Sequence, residues 1–186
     1  MKNYSLSQTA RRSCPWACLV VCLAVLLGGC QSKGPPLSPE AQAVKKELLG
    51  EMGKLTTALA EPVARQDWEA VHPILQASYE EMKKSGKVVE SYLAVLDGNG
   101  VMQDRFPAKK IEHPDFRNYK SVKIVLNEKR KAQEMLYLGG AKIFILMAPV
   151  LKNDQVIGAV AMGFPEEELQ RWKVPEKEFL SIDFNQ

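Results

Sequence analysis

Residues 91–105 read SYLAVLDGNGVMQDR, and this stretch decides the fold of the chain. The mostly apolar run 92–96 leads into Asp97-Gly98-Asn99-Gly100, and a second run starts at Val101. Asp-Gly and Asn-Gly pairs supply the residues with positive φ that a tight turn between antiparallel strands needs. The stretch therefore predicts a β-hairpin, and the rest of the chain must supply the sheet to which it belongs.

The second half of the chain has the pattern of strands. From residue 88 onward the apolar residues alternate or run continuously, which predicts five strands at 90–97, 100–105, 133–139, 142–150 and 155–163. Gly139-Gly140 is predicted to join the third strand to the fourth as a two-residue hairpin, and residues 152–154 to join the fourth to the fifth. The unbroken apolar run KIFILMAPV (142–150) predicts a strand covered on both faces.

Helical patterns precede the strands. Ser38-Pro39-Glu40 is typical of a helix start, with Ser as the N-cap and Pro in the first turn. An apolar stripe follows at spacings of three and four, until Pro62 is predicted to end the helix: Ala41, Val44, Leu48, Met52, Leu55 and Leu59. We expect this stripe to pack within the chain. A homodimer through helix 39–60 is the alternative.

The remaining segments complete an α+β arrangement. Residues 66–85 predict a second helix, and the polar insert 107–131 between the second and third strands contains a helical part at about 114–127. A short helix is predicted at 165–172, followed by a tail at 173–186. The predicted fold is a long N-terminal helix packed on a five-stranded antiparallel sheet.

The start of the chain has the pattern of a targeting segment. Residues 1–29 carry only Lys2, Arg11 and Arg12 as charges, followed by an apolar stretch of about a dozen residues. That stretch is shorter than the ~20 residues that a membrane-spanning helix needs. It ends in Leu27-Gly28-Gly29-Cys30, which resembles the lipobox of bacterial lipoproteins. An uncleaved anchor helix is the alternative.

The lipobox resemblance implies a location for the mature protein. Residues 1–29 would be removed as a signal peptide, and Cys30 would carry the lipid that attaches the chain to a membrane. Residues 30–38 would then be a Gly/Pro/Ser tether on the periplasmic side of the cell envelope. In such lipoproteins an Asp after the cysteine marks retention in the inner membrane, so Gln31 favours the outer membrane slightly.

Charge and cysteine content exclude several classes of function. The formal net charge is +3, and three of the 25 Lys and Arg residues lie in segment 1–29. The mature chain would therefore contain 22 basic and 22 acidic residues and have no net charge. This balance gives no support for nucleic-acid binding. Cys14, Cys18 and Cys22 would leave with the signal peptide and Cys30 would be lipidated, so we expect no disulfide.

The sequence offers little for catalysis. His72 and His113 each precede a proline, and neither belongs to an HExxH or another metal-binding spacing. No P-loop and no GxSxG motif occurs. We therefore expect a protein that is not an enzyme and that uses no cofactor and no metal.

Four motifs in a fixed order resemble the single Cache domain, the PAS-like extracytoplasmic sensor module of bacterial chemoreceptors and kinases. They are Leu93-Ala94-Val95-Leu96-Asp97-x-x-Gly100, Asp115-Phe116-Arg117-Asn118-Tyr119, Ala148-Pro149-Val150, and Gly158-Ala159-Val160 before Gly163. The resemblance covers about residues 40–170, which gives a sensor domain at 39–172. It implies that the long helix lies behind the sheet, and that the insert closes a small-molecule pocket on the other face.

The same resemblance implies a ligand site. Arg117 and Tyr119 fall where the family uses an arginine and an aromatic residue to hold the ligand, Phe116 flanks Arg117, and Tyr137 falls on the third strand. The last strand ends Met162-Gly163-Phe164, without the acid that binds an α-amino group in one branch of the family. An arginine with tyrosine hydroxyls suits a carboxylate better.

Two of these residues have an alternative interpretation in which they bind no ligand. Arg117 would otherwise be a surface arginine paired with Asp115 or Glu112, and Tyr137 a core tyrosine whose hydroxyl is satisfied.

The sequence thus predicts a lipid-anchored periplasmic sensor module for a small organic acid, which signals through a separate protein. The alternative is an envelope scaffold or accessory lipoprotein that uses the PAS-like fold for protein–protein contact alone.

Overall fold

The structure, a computed structural model, describes residues 36–86, 88–107, 113–138 and 140–186. Its elements in chain order are α1 (Pro39–Ala64), α2 (Trp68–Lys84), β1 (Tyr92–Asp97), β2 (Met102–Phe106), α3 (Lys120–Glu128), β3 (Ala132–Leu138), β4 (Ala141–Lys152), β5 (Gln155–Pro165), α4 (Glu166–Trp172) and α5 (Glu176–Ser181). The predicted signal peptide 1–29, the lipidation site Cys30 and most of the predicted tether lie outside the described residues. Within those residues, no helix combines the length and apolar character needed to cross a membrane.

The five strands form one antiparallel sheet in the order β2-β1-β5-β4-β3. The opening hairpin supplies β1 and β2 at one edge, and β3 is the other edge. The last strand, β5, lies at the centre between β1 and β4, so it joins the first hairpin to the β3–β4 pair. The predicted α+β fold with helices packed on a five-stranded antiparallel sheet is confirmed.

The turns follow the predicted chemistry. The Oδ1 atom of Asp97 accepts hydrogen bonds from the backbone N–H groups of Asn99 (2.9 Å) and Val101 (3.0 Å), which closes the β1–β2 turn. Asn153 and Asp154 both have positive φ, 49° and 60°, as the two-residue turn between β4 and β5 requires.

Helix α1 covers one face of the sheet. The side chain of Ser38 accepts a hydrogen bond from the N–H of Ala41 at 3.1 Å and begins the helix as its N-cap. All six residues of the predicted stripe are buried in the core between the helices and the sheet. Because the stripe packs within the chain, it offers no surface to a second copy, so a homodimer through this face of helix 39–60 is not supported.

Two helix boundaries differ from the prediction. Helix α1 continues two residues past Pro62 to Ala64, so that Pro62 lies inside its last turn. The helical part of the insert starts at Lys120 and not near residue 114. Residues 113–116 contact the β1–β2 hairpin instead.

The C-terminal segment 173–186, predicted as a tail, is part of the domain. It forms α5 and buries Phe179, Ile182 and Phe184 in the core beneath the helices. The side-chain amide of Gln133 on β3 donates hydrogen bonds to the carbonyl oxygens of Leu180 (3.1 Å) and Ile182 (2.6 Å). The irregular spacing of these apolar residues matches neither a helix nor a strand, and so the prediction missed them.

Candidate functional site

The face of the sheet opposite α1 carries a second apolar cluster, beneath the insert. Strand β4 contributes to both faces: Phe144 and Leu146 pack toward the helices, whereas Ile143 and Ile145 belong to the second cluster. The prediction that β4 is covered on both faces is confirmed. The members of the second cluster are Leu96, Val122, Val125, Ala132, Leu136, Ile143, Ile145, Met147, Ala159 and Ala161.

A cavity of about 690 Å³ lies between this cluster and the insert. Small-molecule sites generally have volumes of roughly 300–1,000 Å³. The described lining residues are Tyr92, Leu93, Ala94, Leu96, Met102, Arg105, Phe106, Pro107, Pro114, Phe116, Tyr119, Ser121, Leu136, Leu138, Ala141, Ile143, Ile145, Met147, Ala161 and Gly163.

Small side chains at the centre of the sheet make room for this cavity. Ala94 on β1 pairs with Ala161 on β5, and Tyr92 pairs with Gly163. A Cβ atom at Gly163 would lie 3.3 Å from Cγ2 of Ile143, so the floor is closely packed even around the glycine. The part of the sheet under the centre of the cavity therefore carries small side chains, and the larger side chains lie on β3 and β4.

The insert is attached to the β1–β2 hairpin through backbone contacts. The N–H of Phe116 donates to the carbonyl of Gly100 (2.9 Å), and the N–H of Met102 donates to the carbonyl of Pro114 (3.1 Å). The Nδ1 atom of His113 lies 3.0 Å from the carbonyl oxygen of Met102. These bonds hold the segment that carries Phe116 and Tyr119 against the hairpin.

Helix α3 begins over the cavity. A carboxylate oxygen of Glu134 on β3 accepts a hydrogen bond from the N–H of Ser121 (3.1 Å), which satisfies one donor of the first helical turn. Ser121 is only 2% exposed, and its hydroxyl has no hydrogen-bond partner among the described residues. A buried hydroxyl beside a cavity is a group that a ligand can satisfy.

Arg105 on β2 is the charged side chain in the described lining. Its neighbour Asp104 faces the other way and is buried, with Oδ2 at 3.0 Å from Nδ1 of His72 and Oδ1 accepting the N–H of Arg105 at 2.7 Å. The contact between Asp104 and α2 holds β2 in the register that brings Arg105 to the cavity.

The four residues predicted to bind a ligand are divided by the structure. Phe116 and Tyr119 line the cavity with their ring centroids 5.3 Å apart. Arg117 does not line it: its side chain is 59% exposed, and its Nε lies 2.7 Å from Oδ2 of Asp115, as in the surface alternative. Tyr137 is 68% exposed on β3 and also lies outside the described lining, so it is not a core tyrosine.

The pairing of Asp115 with Arg117 has an electrostatic consequence. The N–H of Arg117, which donates to Oδ1 at 2.9 Å, and then its guanidinium hold the pKa of the Asp115 carboxyl below its usual value. Both groups are engaged with each other at the surface of the insert.

Sequence reasoning missed Arg105 and Ser121 as lining residues. The available signal for Arg105 was its place at the end of a predicted strand, next to the insert. Nothing in the sequence around Ser121 marks a buried hydroxyl. Within the part of the chain that is described, no group of three His, Cys, Asp or Glu side chains is placed to hold a metal ion.

No protein-family model matches the sequence, and no curated protein matches it. Solved structures do share the fold. The ligand-binding domain of the Pseudomonas fluorescens chemoreceptor CtaA in complex with L-serine has a TM-score of 0.54 and 18% identity, and covers 72% of this chain and 57% of that one. The chain thus spans little more than half of the CtaA domain.

Two further structures extend the comparison. The E. coli DcuS sensor domain has a TM-score of 0.50 and 18% identity, covering 69% of this chain and 96% of that one. The extracellular domain of vpHK1S-Z8, described as a histidine kinase, has a TM-score of 0.57 and 12% identity, covering 71% and 54%. These neighbours are a ligand-binding domain of a chemoreceptor, a sensor domain and the extracellular domain of a histidine kinase. The fold is that of the Cache and PAS-like sensor domains, as predicted.

Proposed function

We propose that the chain is an extracytoplasmic sensor module that binds a small carboxylate in the cavity beneath the insert. The observation that carries this proposal is the lining itself: one arginine, Arg105, in a cavity whose other described walls are mainly apolar. A guanidinium presents a planar fork of donors that matches a carboxylate, and apolar surroundings strengthen the attraction by excluding water.

In this proposal Arg105 takes the role that the family resemblance implied for Arg117. Arg117 lies at the surface beside Asp115, and Arg105 lines the cavity from β2. Phe116 and Tyr119, which line the cavity, would form the wall over the ligand. No Asp or Glu occurs in the described lining.

The sensing step is proposed to be a movement of the insert. The insert is attached to the β1–β2 turn at Gly100 and Met102, so a ligand that draws Phe116 and Tyr119 inward pulls on the edge of the sheet. A separate protein would detect this change. In support, the same fold occurs in a ligand-binding domain of a chemoreceptor and in a sensor domain.

Binding is tested by a thermal-shift screen of the purified full-length protein against monocarboxylates, dicarboxylates, amino acids and amines, followed by calorimetric titration. A ligand at 100 times its Kd adds about 2.7 kcal/mol, or roughly 5–10 °C in Tm. We expect a carboxylate to give this shift.

Two matched arginine variants locate the site. Arg105→Gln is expected to weaken binding at least about 30-fold, because it removes the charged partner of a desolvated carboxylate. Arg117→Gln is expected to change affinity less than about threefold. Loss of binding in Arg117→Gln alone would return the site to the arginine predicted from sequence, and silence across the screen would overturn the proposal.

The membrane attachment is the second part of the proposal. Cys30 in the sequence Leu27-Gly28-Gly29-Cys30 would carry the lipid, on the periplasmic side of the envelope and preferably at the outer membrane. Mass spectrometry of the protein purified from membranes should find a chain that starts at a lipidated Cys30. A Cys30→Ser variant should lose the lipid. An unmodified chain that retains residues 1–29 would contradict lipid anchoring.

A further inference from the structure

We infer that the domain stands end-on on the membrane, with lipid headgroups covering the exposed apolar side chains at the end where α1 begins. This inference rests on the proposed lipid attachment at Cys30 and does not depend on which ligand fills the cavity. It is carried by the contacts at the two ends of α1, the length of chain between Cys30 and α1, and the position of the exposed apolar residues.

The start of α1 lies at the same end of the domain as the start of β4. The backbone N–H of Ser38 donates to Oε1 of Glu178 on α5 at 2.6 Å. Glu176 on the same short helix forms an ion pair with Lys142, the second residue of β4. We call this part of the domain the Ser38 end, and the chain between Cys30 and α1 reaches the domain there.

The opposite end of the domain is too far from Ser38 for the attachment to bring it to the membrane. Nζ of Lys152, the last residue of β4, lies 2.7 Å from Oε2 of Glu61 near the end of α1. A helix of 26 residues is about 39 Å long. Ser38 follows Cys30 by eight residues, which span at most about 29 Å when fully extended. A lipidated Cys30 therefore cannot reach a membrane that lies against the Lys152 end.

The exposed apolar side chains are concentrated at the Ser38 end. Tyr92 pairs with Gly163 near the end of β5, and Tyr137 pairs with Lys142 at the start of β4. Among the described residues five large apolar side chains are exposed, and Leu151 is the one beside Lys152 at the other end. The four at the Ser38 end are Val89, Tyr92, Tyr137 and Leu138.

These four side chains share an end of the sheet and not a face. Tyr92 and Leu138 line the cavity, whereas Val89 and Tyr137 do not belong to its described lining. A ligand inside the cavity would therefore leave Val89 and Tyr137 in water, but a lipid surface laid across the end covers all four. Tyrosine suits this position because its apolar ring and its hydroxyl match the two sides of a membrane interface.

A contact of this size is sufficient because the chain is already attached. Tethering turns the contact into an intramolecular step at a high effective concentration, and a lipid chain and an apolar surface add as two membrane signals. The exposed charged residues at this end have both signs, with Glu40 and Glu90 beside Lys177. The contact is therefore apolar and needs no anionic lipid.

Nitroxide labels at the two ends of the sheet test the orientation. The mature lipidated chain would have no cysteine besides Cys30, so Tyr137→Cys and Leu151→Cys each provide one free thiol for a label. Both positions are exposed, and Leu151 is the matched control at the Lys152 end. The labelled proteins, purified from membranes, are placed in phosphatidylcholine vesicles at few copies per vesicle, with and without phosphatidylglycerol. Electron paramagnetic resonance then compares how often each label collides with oxygen, which enters lipid, and with a nickel chelate, which stays in water.

We expect the ratio of oxygen to nickel collisions to be at least about threefold higher at position 137 than at position 151, since interfacial segments lie about 5–10 Å into the headgroup boundary. The difference should persist at high salt and without phosphatidylglycerol. Val89→Cys, at the Ser38 end and outside the described lining, should give the same result as Tyr137→Cys. It replaces Tyr137→Cys if that variant does not fold.

The outcomes separate this inference from the proposed attachment. Equal ratios at the two ends in a chain whose mass shows the lipid on Cys30 overturn the orientation and leave the attachment standing. A label at position 137 that is open to water in vesicles but shielded in native membranes assigns the Ser38 end to a partner protein and also overturns the inference. Broadening between labels of neighbouring chains would assign that end to a second copy, with the same consequence. A chain without lipid overturns both the attachment and the orientation.

Discussion

Gly100 lies in direct backbone contact with Arg117: a Cβ atom at Gly100 would be 3.0 Å from the Cα and 3.1 Å from the N of Arg117. It would also be 3.1 Å from Cγ1 of Val122. Gly100 has a φ of +80°, so both its backbone conformation and its neighbours require glycine. The turn of the first hairpin is therefore also the place at which the insert that covers the cavity packs against the hairpin.

Gly100→Ala is predicted to destabilise the domain by about 2–4 kcal/mol, because it adds a steric clash to the strain of positive φ. The matched control is Gly86→Ala, at φ +69° with no atom within 4 Å of the added Cβ, which should cost only about 1 kcal/mol. Urea unfolding of both variants measures the difference. Equal losses would mean that the contact with the insert contributes nothing.

The sequence was sufficient to predict the fold because its local signals agreed with one another. The DGNG turn, the α1 stripe and the continuous run of β4 each predicted an element that the structure contains. The agreement of turn chemistry with hydrophobic period is what makes such predictions reliable. The prediction of a tail at 173–186 was wrong because the buried aromatic residues of this segment follow neither a helical nor a strand period.

Two of the four predicted site residues, Phe116 and Tyr119, line the cavity, and the irregular strand β2 shows why Arg105 was missed. Arg105 and Met102 both line the cavity although they are three positions apart, an odd offset that simple alternation would place on opposite faces. The register shifts where Leu96 pairs with Met102 and Val95 with Asp104. An irregularity of this kind reorients a side chain and leaves no signal in the hydrophobic pattern.

Glu168 on α4 is predicted to be essential for stability. It is 3% exposed; Oε1 accepts the N–H groups of Val89 (2.8 Å) and Glu90 (2.7 Å), and Oε2 accepts Nη2 of Arg171 (2.7 Å). Its removal takes one shared, buried acceptor from the backbone N–H groups of Val89 and Glu90 and from Arg171, so Glu168→Ala should lose about 1–3 kcal/mol.

The control for Glu168 is its neighbour Glu167, which is exposed on the same helix. Glu167→Ala should change the free energy of unfolding by no more than about 0.5 kcal/mol. If the two variants unfold at the same urea concentration, then the contact between α4 and the segment before β1 is not a source of stability.

Low pH should weaken the contact between Asp115 and Arg117 in the insert. The pKa of this carboxyl is lowered, first by the N–H of Arg117 and then by its guanidinium, so the folded state holds the ionised form more strongly than the unfolded state does. The contribution is fully present above the ordinary pKa of an aspartate. It is lost as the pH falls through the lowered value.

The titration of Asp115 is measurable by NMR of its carboxyl carbon. Arg117→Gln should raise the pKa of Asp115 only part of the way to its usual value, because the backbone N–H at position 117 remains. A complete return to the usual value would assign the whole shift to the guanidinium. High salt should weaken the guanidinium contribution, since both side chains are exposed.

Ser121→Ala is predicted to stabilise the free protein and to weaken ligand binding. The hydroxyl of Ser121 is buried without a hydrogen-bond partner among the described residues, so its removal should gain about 1–2 kcal/mol, including the better helix propensity of alanine. Ser78→Ala on α2 is the matched control, because it reports the propensity gain of about 0.5 kcal/mol alone.

Ser121 also lines the cavity, so the carboxylate identified in the screen should bind several-fold more weakly to Ser121→Ala. Thermal unfolding with and without that ligand measures both effects. A variant that gains stability and keeps its full affinity would place the ligand away from α3.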